Sequence, residues 1–333
     1  MATQQSEQTT ELKGDKIAII GSGLIGRSWA MLFASGGYLV SLFDTDSRQV
    51  KDAMTDIQKQ LTMLSERGLG RGTLSADVQF SRITTSTSLL EAVNDAVYIQ
   101  ECVPEKRELK RAVLLDVDAA MTSTAILASS TSAMMPSLLS DHLTNKDRFL
   151  VAHPTNPPFY VPVVELVPAS WTADHVTTAT SEIMAAIGQV PIVFYKEVDG
   201  FAVGRIQFAI LSVAYDLIKN DVCDVEAIEV AMTEGLGMWY AFFGPFQVEH
   251  LNADGFMDVC NKYGEAVYRV QKTFAAPEKM GGPTAEKMCQ QLELFCPLDK
   301  LQEKRQWRDE RLAALSRLIR DLDREEATPS GGN

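Results

Sequence analysis

The strongest constraint on the fold is a glycine-rich turn between a short apolar run and an apolar helical pattern. Residues 16–20 read KIAII and run directly into Gly21-Ser22-Gly23-Leu24-Ile25-Gly26, which has the form G-x-G-x-x-G. A second apolar run at 39–43 then ends at Asp44. A strand, this turn, a helix and a second strand with an acidic end form the fingerprint of a Rossmann-type βαβ unit.

Each part of this turn has a physical role toward a dinucleotide. Gly21 makes the tight turn, Gly23 lets the backbone approach a pyrophosphate, and Gly26 allows the helix to pack closely on the strand. Leu24 and Ile25 open the helix, whose N-terminus stabilises phosphate charge. We therefore predict that these five residues bind a dinucleotide cofactor.

Asp44 decides which dinucleotide fits. Its carboxylate can accept hydrogen bonds from the adenosine ribose hydroxyls, and it would repel a 2′-phosphate. Thr45 and Asp46 follow it, so no Arg stands directly behind it, although Arg48 lies one turn further on. The sequence predicts NAD rather than NADP.

The rest of the chain divides into a mixed half and a helical half. Six short apolar runs alternate with helical patterns, which predicts a doubly wound, mostly parallel sheet; the runs are 16–20, 39–43, 96–100, 125–128, 149–152 and 190–194. Beyond residue 200 the pattern is helical, over 201–220, 224–234, 255–274, 284–294 and 305–322. We predict a Rossmann domain over 14–198, an all-α substrate and dimerisation domain over 199–322, and flexible tails at 1–13 and 323–333.

Composition excludes several classes of protein. The chain of 333 residues carries a formal net charge of −13, which argues against nucleic acid and anionic membranes as partners. No apolar run approaches the roughly 18 residues of a membrane helix, and the polar N-terminus lacks the apolar core of a signal peptide. The 5 cysteines are scattered and odd in number, as is typical of reduced thiols. We expect a soluble cytoplasmic protein.

A second group of polar residues lies around AHPTNPPFYVPVVELVP, residues 152–168. His153 follows an apolar run, Asn156 stands three residues on, and Glu165 lies in another apolar run. A histidine beside a strand is often structural, but a nearby carboxylate that can orient it favours a general base. Ser132 follows the run AILA and should lie at the same carboxyl edge of the sheet, where a nicotinamide would bind. His142, His175 and His250 lack ligand spacing, so we expect no metal site.

These motifs together resemble a known family. GSGLIG, ECVPEKRELK, SSTSA, HPTN and VELVP resemble the L-3-hydroxyacyl-CoA dehydrogenase family over roughly residues 14–320. GRSWAMLFASGG, AHPTNPP, KEVDGF, EGLGM and KRQWRDE are similar to its lambda-crystallin branch, which comprises L-gulonate 3-dehydrogenases.

The resemblance implies a role for each candidate residue. His153 would take the proton from the substrate hydroxyl while the carbon gives hydride to NAD, and Glu165 would hold and polarise the imidazole. Ser132 would form a hydrogen bond with the substrate oxygen, and Asn156 would support His153 or the nicotinamide. In the segment after the strand at 96–100, Glu105 and Lys110 would contact cofactor or substrate. From the residues alone, a solvated helix start is an equally good interpretation of these two.

Two departures from the family concern the substrate. The family pattern G-F-x-x-N-R is here Gly200-Phe201-Ala202-Val203-Gly204-Arg205, so Gly204 replaces an asparagine near the substrate. Mammalian members carry arginine at the position of Trp239, where it could anchor a sugar-acid carboxylate. Arg205 is the nearest remaining cation in this motif, although an ordinary surface arginine is an equally good interpretation.

The resemblance therefore implies NAD-dependent oxidation of L-gulonate to 3-dehydro-L-gulonate by a homodimer. Oxidation of another 3-hydroxy acid or a 3-hydroxyacyl-CoA is the alternative within the enzymes, and the acidic net charge gives a CoA tail little help. The alternative to an enzyme is a catalytically weak, crystallin-like protein that binds NAD.

Overall fold

The computed structural model describes residues 10–327, so residues 1–9 and 328–333 of the tails predicted at 1–13 and 323–333 lie outside the described residues. The chain forms two compact units. One contains the chain up to Gly204 together with the chain from Asp309 onward, and the other contains Arg205–Arg308.

The first unit is built on a sheet of eight strands in the part of the chain that the structure describes. The strands are β1 (Lys16–Ile20), β2 (Leu39–Phe43), β3 (Ile83–Thr85), β4 (Ala96–Glu101), β5 (Ile126–Ser129), β6 (Phe149–Pro154), β7 (Val163–Pro168) and β8 (Val190–Val193). Their order is β3-β2-β1-β4-β5-β6-β7-β8. All neighbours pair in parallel except β6 and β7, which are antiparallel. The sheet therefore confirms the predicted mostly parallel, doubly wound fold.

Helices cover both faces of this sheet. They are α1 (Leu24–Ser35), α2 (Ser47–Glu66), α3 (Ala76–Ser81), α4 (Leu89–Val93), α5 (Arg107–Ala120), α6 (Pro136–Ser140) and α7 (Asp174–Ala186). Alternate residues of β1 enter different apolar clusters. Ile17 and Ile19 pack with Trp29 on one face, whereas Ala18 and Ile20 pack with Leu114 on the other. Because both faces are buried, β1 is continuously apolar.

The second unit is helical. It contains most of α8 (Val203–Lys219), then α9 (Val225–Val230), α10 (Gly237–Tyr240), α11 (Pro245–Leu251), α12 (Phe256–Gln271) and α13 (Gly282–Glu293). A π-helical turn, Ala231–Leu236, joins α9 to α10. Many of its large apolar side chains are exposed, among them Phe208, Phe246, Met257 and Tyr268.

The last helix, α14 (Leu301–Ala327), returns to the first unit. Ala313 is buried in the larger apolar cluster, and Arg67 forms an ion pair with Glu310 at 2.6 Å. The helix continues to Ala327, so residues 323–327 are helical where we had predicted a tail. Its charged surface contains acidic and basic residues at helical spacing, such as Arg317 and Asp321, which support the last turns.

Two strands were absent from the six predicted runs. β3 has three residues, too few for a periodic signal. β7 follows the segment PPFYVP, and its alternation is hidden because four of its six residues are buried. The long helix α2 begins at Ser47, where the Asp46 carboxylate caps it by accepting a hydrogen bond from the Arg48 N–H.

Candidate active site

The glycine turn after β1 has the geometry that its sequence predicted. Gly21 has a φ of +108°, and a Cβ there would lie 2.8 Å from the backbone carbonyl of Cys102. A Cβ on Gly26 would lie 1.9 Å from the Gly21 oxygen, so a side chain at either position would collide with backbone. At Gly23 a Cβ would meet nothing within 4 Å. Gly23 therefore borders open space beside the N-terminus of α1, and a phosphate group fits there.

Asp44 is tied to this turn from the end of β2. Its Oδ2 accepts hydrogen bonds from the Ser22 N–H at 2.8 Å and the Ser22 hydroxyl at 3.0 Å, and its Oδ1 accepts one from the Asp46 N–H at 3.1 Å. A carboxylate has about four acceptor positions, and three are used here, so about one lone pair remains for a ribose hydroxyl. The carboxylate is thus fixed in place before any ligand binds.

His153 and Glu165 meet through the antiparallel pairing of β6 and β7. They are direct cross-strand partners, and the Nδ1 of His153 lies 2.7 Å from Oε2 of Glu165. The Glu165 side chain is fully buried, and that of His153 is 11% exposed. Because Nδ1 is occupied by the carboxylate, Nε2 is the ring nitrogen that remains for a substrate.

The second oxygen of Glu165 is bound by the start of α8. The N–H groups of Ala202 and Val203 donate to Oε1 at 2.8 and 2.9 Å. Burial alone would raise the pKa of Glu165, but the hydrogen bonds from His153, Val203 and Ala202 outweigh it and lower the pKa below its ordinary value. Glu165 is therefore an anion beside the imidazole at neutral pH.

Ser132 lies on an exposed loop after β5, at the same edge of the sheet as His153. β5 and β6 are aligned in parallel up to the pair Ser129 and Val151, so both chains leave the sheet together. The Ser132 N–H donates to Oε1 of Glu105 at 3.0 Å, and the Thr131 hydroxyl donates to the same oxygen. Glu105 thus holds the backbone of the serine loop while its own side chain remains 43% exposed.

Lys110 lies elsewhere than we expected for a residue in direct contact with cofactor or substrate. Its side chain is 1% exposed, and its ammonium donates to both oxygens of Glu101, at 2.9 and 3.1 Å, and to the Val103 carbonyl at 3.0 Å. Its Nζ also lies 3.4 Å from Oε2 of Glu105. The three ammonium protons are therefore committed to protein oxygens. Burial raises the pKa of Glu101, against the opposing effects of Lys110, Ser129 and Val103.

The remaining predicted residues occupy different surroundings. Asn156 is exposed, two residues after the end of β6. Between it and His153, the Thr155 hydroxyl oxygen is buried with no hydrogen-bond partner among the described residues. Arg205 and Trp239 both belong to the second unit, where Arg205 is exposed on α8 and Trp239 is 48% exposed on α10.

Ser130 is a contact point that the sequence did not reveal. Its Oγ accepts hydrogen bonds from the indole N–H of Trp29 at 3.1 Å and the amide of Gln100 at 2.7 Å, and it lies 3.3 Å from the Cys102 Sγ. It therefore links α1, β4 and β5 beneath the glycine turn. Burial raises the pKa of the Cys102 thiol to about 12, against a smaller effect of Ser130, so Cys102 is not a nucleophile. In the sequence, the only hint of this role is that Ser130 lies in the polar run SSTSA.

Across residues 10–327, no three His, Cys, Asp or Glu side chains are grouped as metal ligands. Within the same range, every helix is too short or too polar to span a bilayer.

Comparison with known proteins agrees with this geometry. The profile of the 3-hydroxyacyl-CoA dehydrogenase NAD binding domain matches residues 16–198, and that of the 3-hydroxyacyl-CoA dehydrogenase C-terminal domain matches residues 200–291. The chain is 42% identical to lambda-crystallin of Oryctolagus cuniculus over 92% of this chain and 97% of the relative. It is 32% identical to L-carnitine dehydrogenase of Bacillus cereus over 91% and 92%.

A solved structure shows the same fold. An NAD-dependent dismutase, 5-formyl-3-hydroxy-2-methylpyridine 4-carboxylic acid 5-dehydrogenase, superposes with a TM-score of 0.75 at 24% identity, covering 92% of this chain and 98% of that one. Fold and turn thus define a Rossmann-type dehydrogenase that binds NAD. More specifically, the chain belongs to the 3-hydroxyacyl-CoA dehydrogenase family, a family of NAD-dependent dehydrogenases acting on CH–OH groups, and it resembles the lambda-crystallins within it.

Proposed function

We propose that this protein oxidises the C3 hydroxyl of a small hydroxy acid with NAD, and that the substrate is L-gulonate, which becomes 3-dehydro-L-gulonate. The observation that carries the proposal is the 2.7 Å contact between His153 and a buried, ionised Glu165. This pair lies at the end of β6, in the same sheet whose β1 carries the glycine turn.

The chemistry follows from the two ring nitrogens of His153. With Nδ1 donating to Glu165, Nε2 accepts the proton of the substrate hydroxyl as the C3–H bond breaks and the C3=O bond forms. NAD, when bound, supplies the acceptor for the hydride. The Glu165 carboxylate stabilises the imidazolium that results, because it holds its negative charge 2.7 Å from Nδ1.

Other residues orient the reactants. The Ser132 hydroxyl hydrogen-bonds the substrate oxygen, and Asn156 supports His153 or the nicotinamide. Gly21, Gly23 and Gly26, with the amides of Leu24 and Ile25, form the pyrophosphate cradle. Asp44 binds the adenosine ribose and favours NAD over NADP.

Glu105 acts at the cofactor end of the serine loop, and Lys110 acts through it. Since the Lys110 ammonium is buried between Glu101 and Glu105, it holds Glu105 in place and does not bind the cofactor itself.

The substrate assignment depends on the second unit. Arg205 is the cation of that unit that we propose for the substrate carboxylate, with Trp239 beside the same ligand. The alternative substrates are another 3-hydroxy acid or a 3-hydroxyacyl-CoA. Gly204 and Trp239 favour this alternative, because each removes a polar side chain that the family pattern offers to a sugar acid. The 32% identity to an L-carnitine dehydrogenase supports this alternative.

A homodimer accounts for the exposed apolar side chains of the second unit. Phe208, Phe246, Met257 and Tyr268 are each more than half exposed. Apolar surface on this scale marks a protein–protein interface. We assign the protein to the cytoplasm on the composition of its sequence, with no nucleic-acid partner.

The proposal is tested by NADH formation at 340 nm with L-gulonate, 3-hydroxybutyrate, L-carnitine and a 3-hydroxyacyl-CoA. We expect the highest kcat/KM with L-gulonate. A higher value with another member of the panel would transfer the assignment to that substrate. Tight NAD binding without turnover on any of them would instead support the non-enzymatic, crystallin-like alternative.

A further inference from the structure

Phe201 packs against His153 of the proposed catalytic pair, and none of the roles proposed above includes this contact. Its side chain is fully buried, and its ring centroid lies 5.6 Å from that of His153. It packs with Val151 and Val167 in a small apolar cluster, against Phe194. We infer that Phe201 is the positioning residue that fixes the orientation and the tautomer of His153. This inference rests on the proposed role of His153 as the base.

The cluster is in register with the catalytic pair. Val151 pairs with Val167 across β6 and β7, and His153 pairs with Glu165 two residues away on each strand. Side chains two apart on a strand share a face of the sheet. Phe201 therefore packs on the same face of the sheet as the imidazole and the carboxylate. Its ring is in contact with the imidazole ring and restricts its orientation.

The backbone of Phe201 has a second effect. Its φ is +50°, a left-handed conformation that is uncommon for a bulky residue, and Gly200 before it has a φ of +74°. This turn leads directly into the N–H groups of Ala202 and Val203, which both donate to Oε1 of Glu165. With Oε1 bound in this way, Oε2 is the oxygen that meets His153.

Ring and backbone together have one chemical consequence. A carboxylate with one fixed oxygen accepts a hydrogen bond from the Nδ1–H group in one direction, so the neutral imidazole carries its hydrogen on Nδ1 and leaves Nε2 as the acceptor. A merely structural phenylalanine would stabilise the fold without affecting which nitrogen carries the hydrogen.

Two variants separate the contributions. Phe201→Gly removes the ring but accommodates the left-handed φ. Phe201→Val keeps apolar bulk, but its β-branch disfavours a positive φ. Phe194→Leu is the matched control, because Phe194 packs on Phe201 in the same cluster.

The readout is independent of turnover. The chain has only 4 histidines, so ¹⁵N-histidine labelling resolves the ring nitrogens of His153 by NMR. We expect the wild type and Phe194→Leu to show the Nδ1–H tautomer. Phe201→Gly should keep the Nδ1–H tautomer, because its backbone still holds Glu165, whereas Phe201→Val should show mixed tautomers. In both variants we expect kcat to be about a hundredfold lower and the NAD Kd to stay within about twofold of wild type.

Either Phe201 variant that folds and keeps the wild-type tautomer and kcat would overturn the inference. Equal changes in Phe194→Leu would do the same, because they would reduce Phe201 to ordinary packing. If the wild type shows the tautomer but turns over no substrate in the panel, the proposed function fails and the positioning of His153 stands.

Discussion

The carboxylate of Glu105 accepts a hydrogen bond from the backbone N–H of Ser132 at 3.0 Å. The same oxygen accepts one from the Thr131 hydroxyl, and its partner oxygen lies 3.4 Å from the buried Lys110 ammonium. The loop that contains Ser132 is therefore held by hydrogen bonds to Glu105, and Glu105 in turn interacts with the Lys110 ammonium.

Glu105→Ala should release this loop and lower kcat/KM about tenfold or more, because a hydrogen bond to a charged group contributes about 1.5–3 kcal/mol. Steady-state kinetics measure the effect. Glu105→Gln is the matched control, since its amide oxygen still accepts from Ser132, and it should retain most activity. Equal losses in the two variants would show that the charge of Glu105, and not its hold on the loop, is what matters.

Gly23→Ala and Gly26→Ala should behave differently. A Cβ at Gly23 has open space in the folded chain, so this variant should keep the wild-type melting temperature while losing NAD affinity. At Gly26 a Cβ would collide with the Gly21 oxygen, so both stability and NAD affinity should fall. Thermal melting and NAD titration followed by tryptophan fluorescence distinguish the two. NAD binding at wild-type strength by Gly23→Ala would contradict the position of the pyrophosphate.

Lys110→Met should destabilise the protein by about 3–5 kcal/mol, because it leaves the buried Glu101 carboxylate without its counter-ion. Both side chains are at most 1% exposed, so solvent screens their interaction little. Urea denaturation measures the change. Lys106→Met, on an exposed neighbour, should change stability by no more than about 0.5 kcal/mol. The double variant Glu101→Gln, Lys110→Met should recover part of the loss, and no recovery would argue against the pair as its cause.

Glu165 should make stability depend on acidic pH. Its pKa in the folded state lies below the ordinary value of 4.5, so its contribution is present above about pH 4.5 and is lost as the pH falls through the folded pKa. The urea midpoint of the wild type should therefore drop more steeply below pH 4.5 than that of Glu165→Gln. Identical acid slopes would mean that the carboxylate gains nothing from its hydrogen bonds.

The sequence predicted the elements whose pattern is local. The G-x-G-x-x-G turn specifies its own backbone, because Gly21 and Gly26 have no room for a side chain. The apolar runs predicted β1 and β2 at their observed bounds. The antiparallel return of β7, which brings Glu165 opposite His153, depends on packing between distant segments and left no periodic signal.

The charged segment around Glu101–Arg111 shows why part of the site was hidden. A run with this many charges is typical of a solvated helix start, yet Glu101 and Lys110 are buried because each neutralises the other. Phe201 shows the same limit. Its left-handed φ and its contact with His153 arise from the tertiary packing of β6, β7 and the turn before α8.

We propose His153 as the base that removes the proton from the substrate hydroxyl. Its most direct test is to measure NADH formation and NAD affinity together in His153→Gln with the best substrate of the panel. We predict that kcat falls by a factor of about 10²–10⁴, the typical contribution of a general base, while the NAD Kd stays within about twofold of wild type. Turnover at the wild-type rate by His153→Gln would contradict the account.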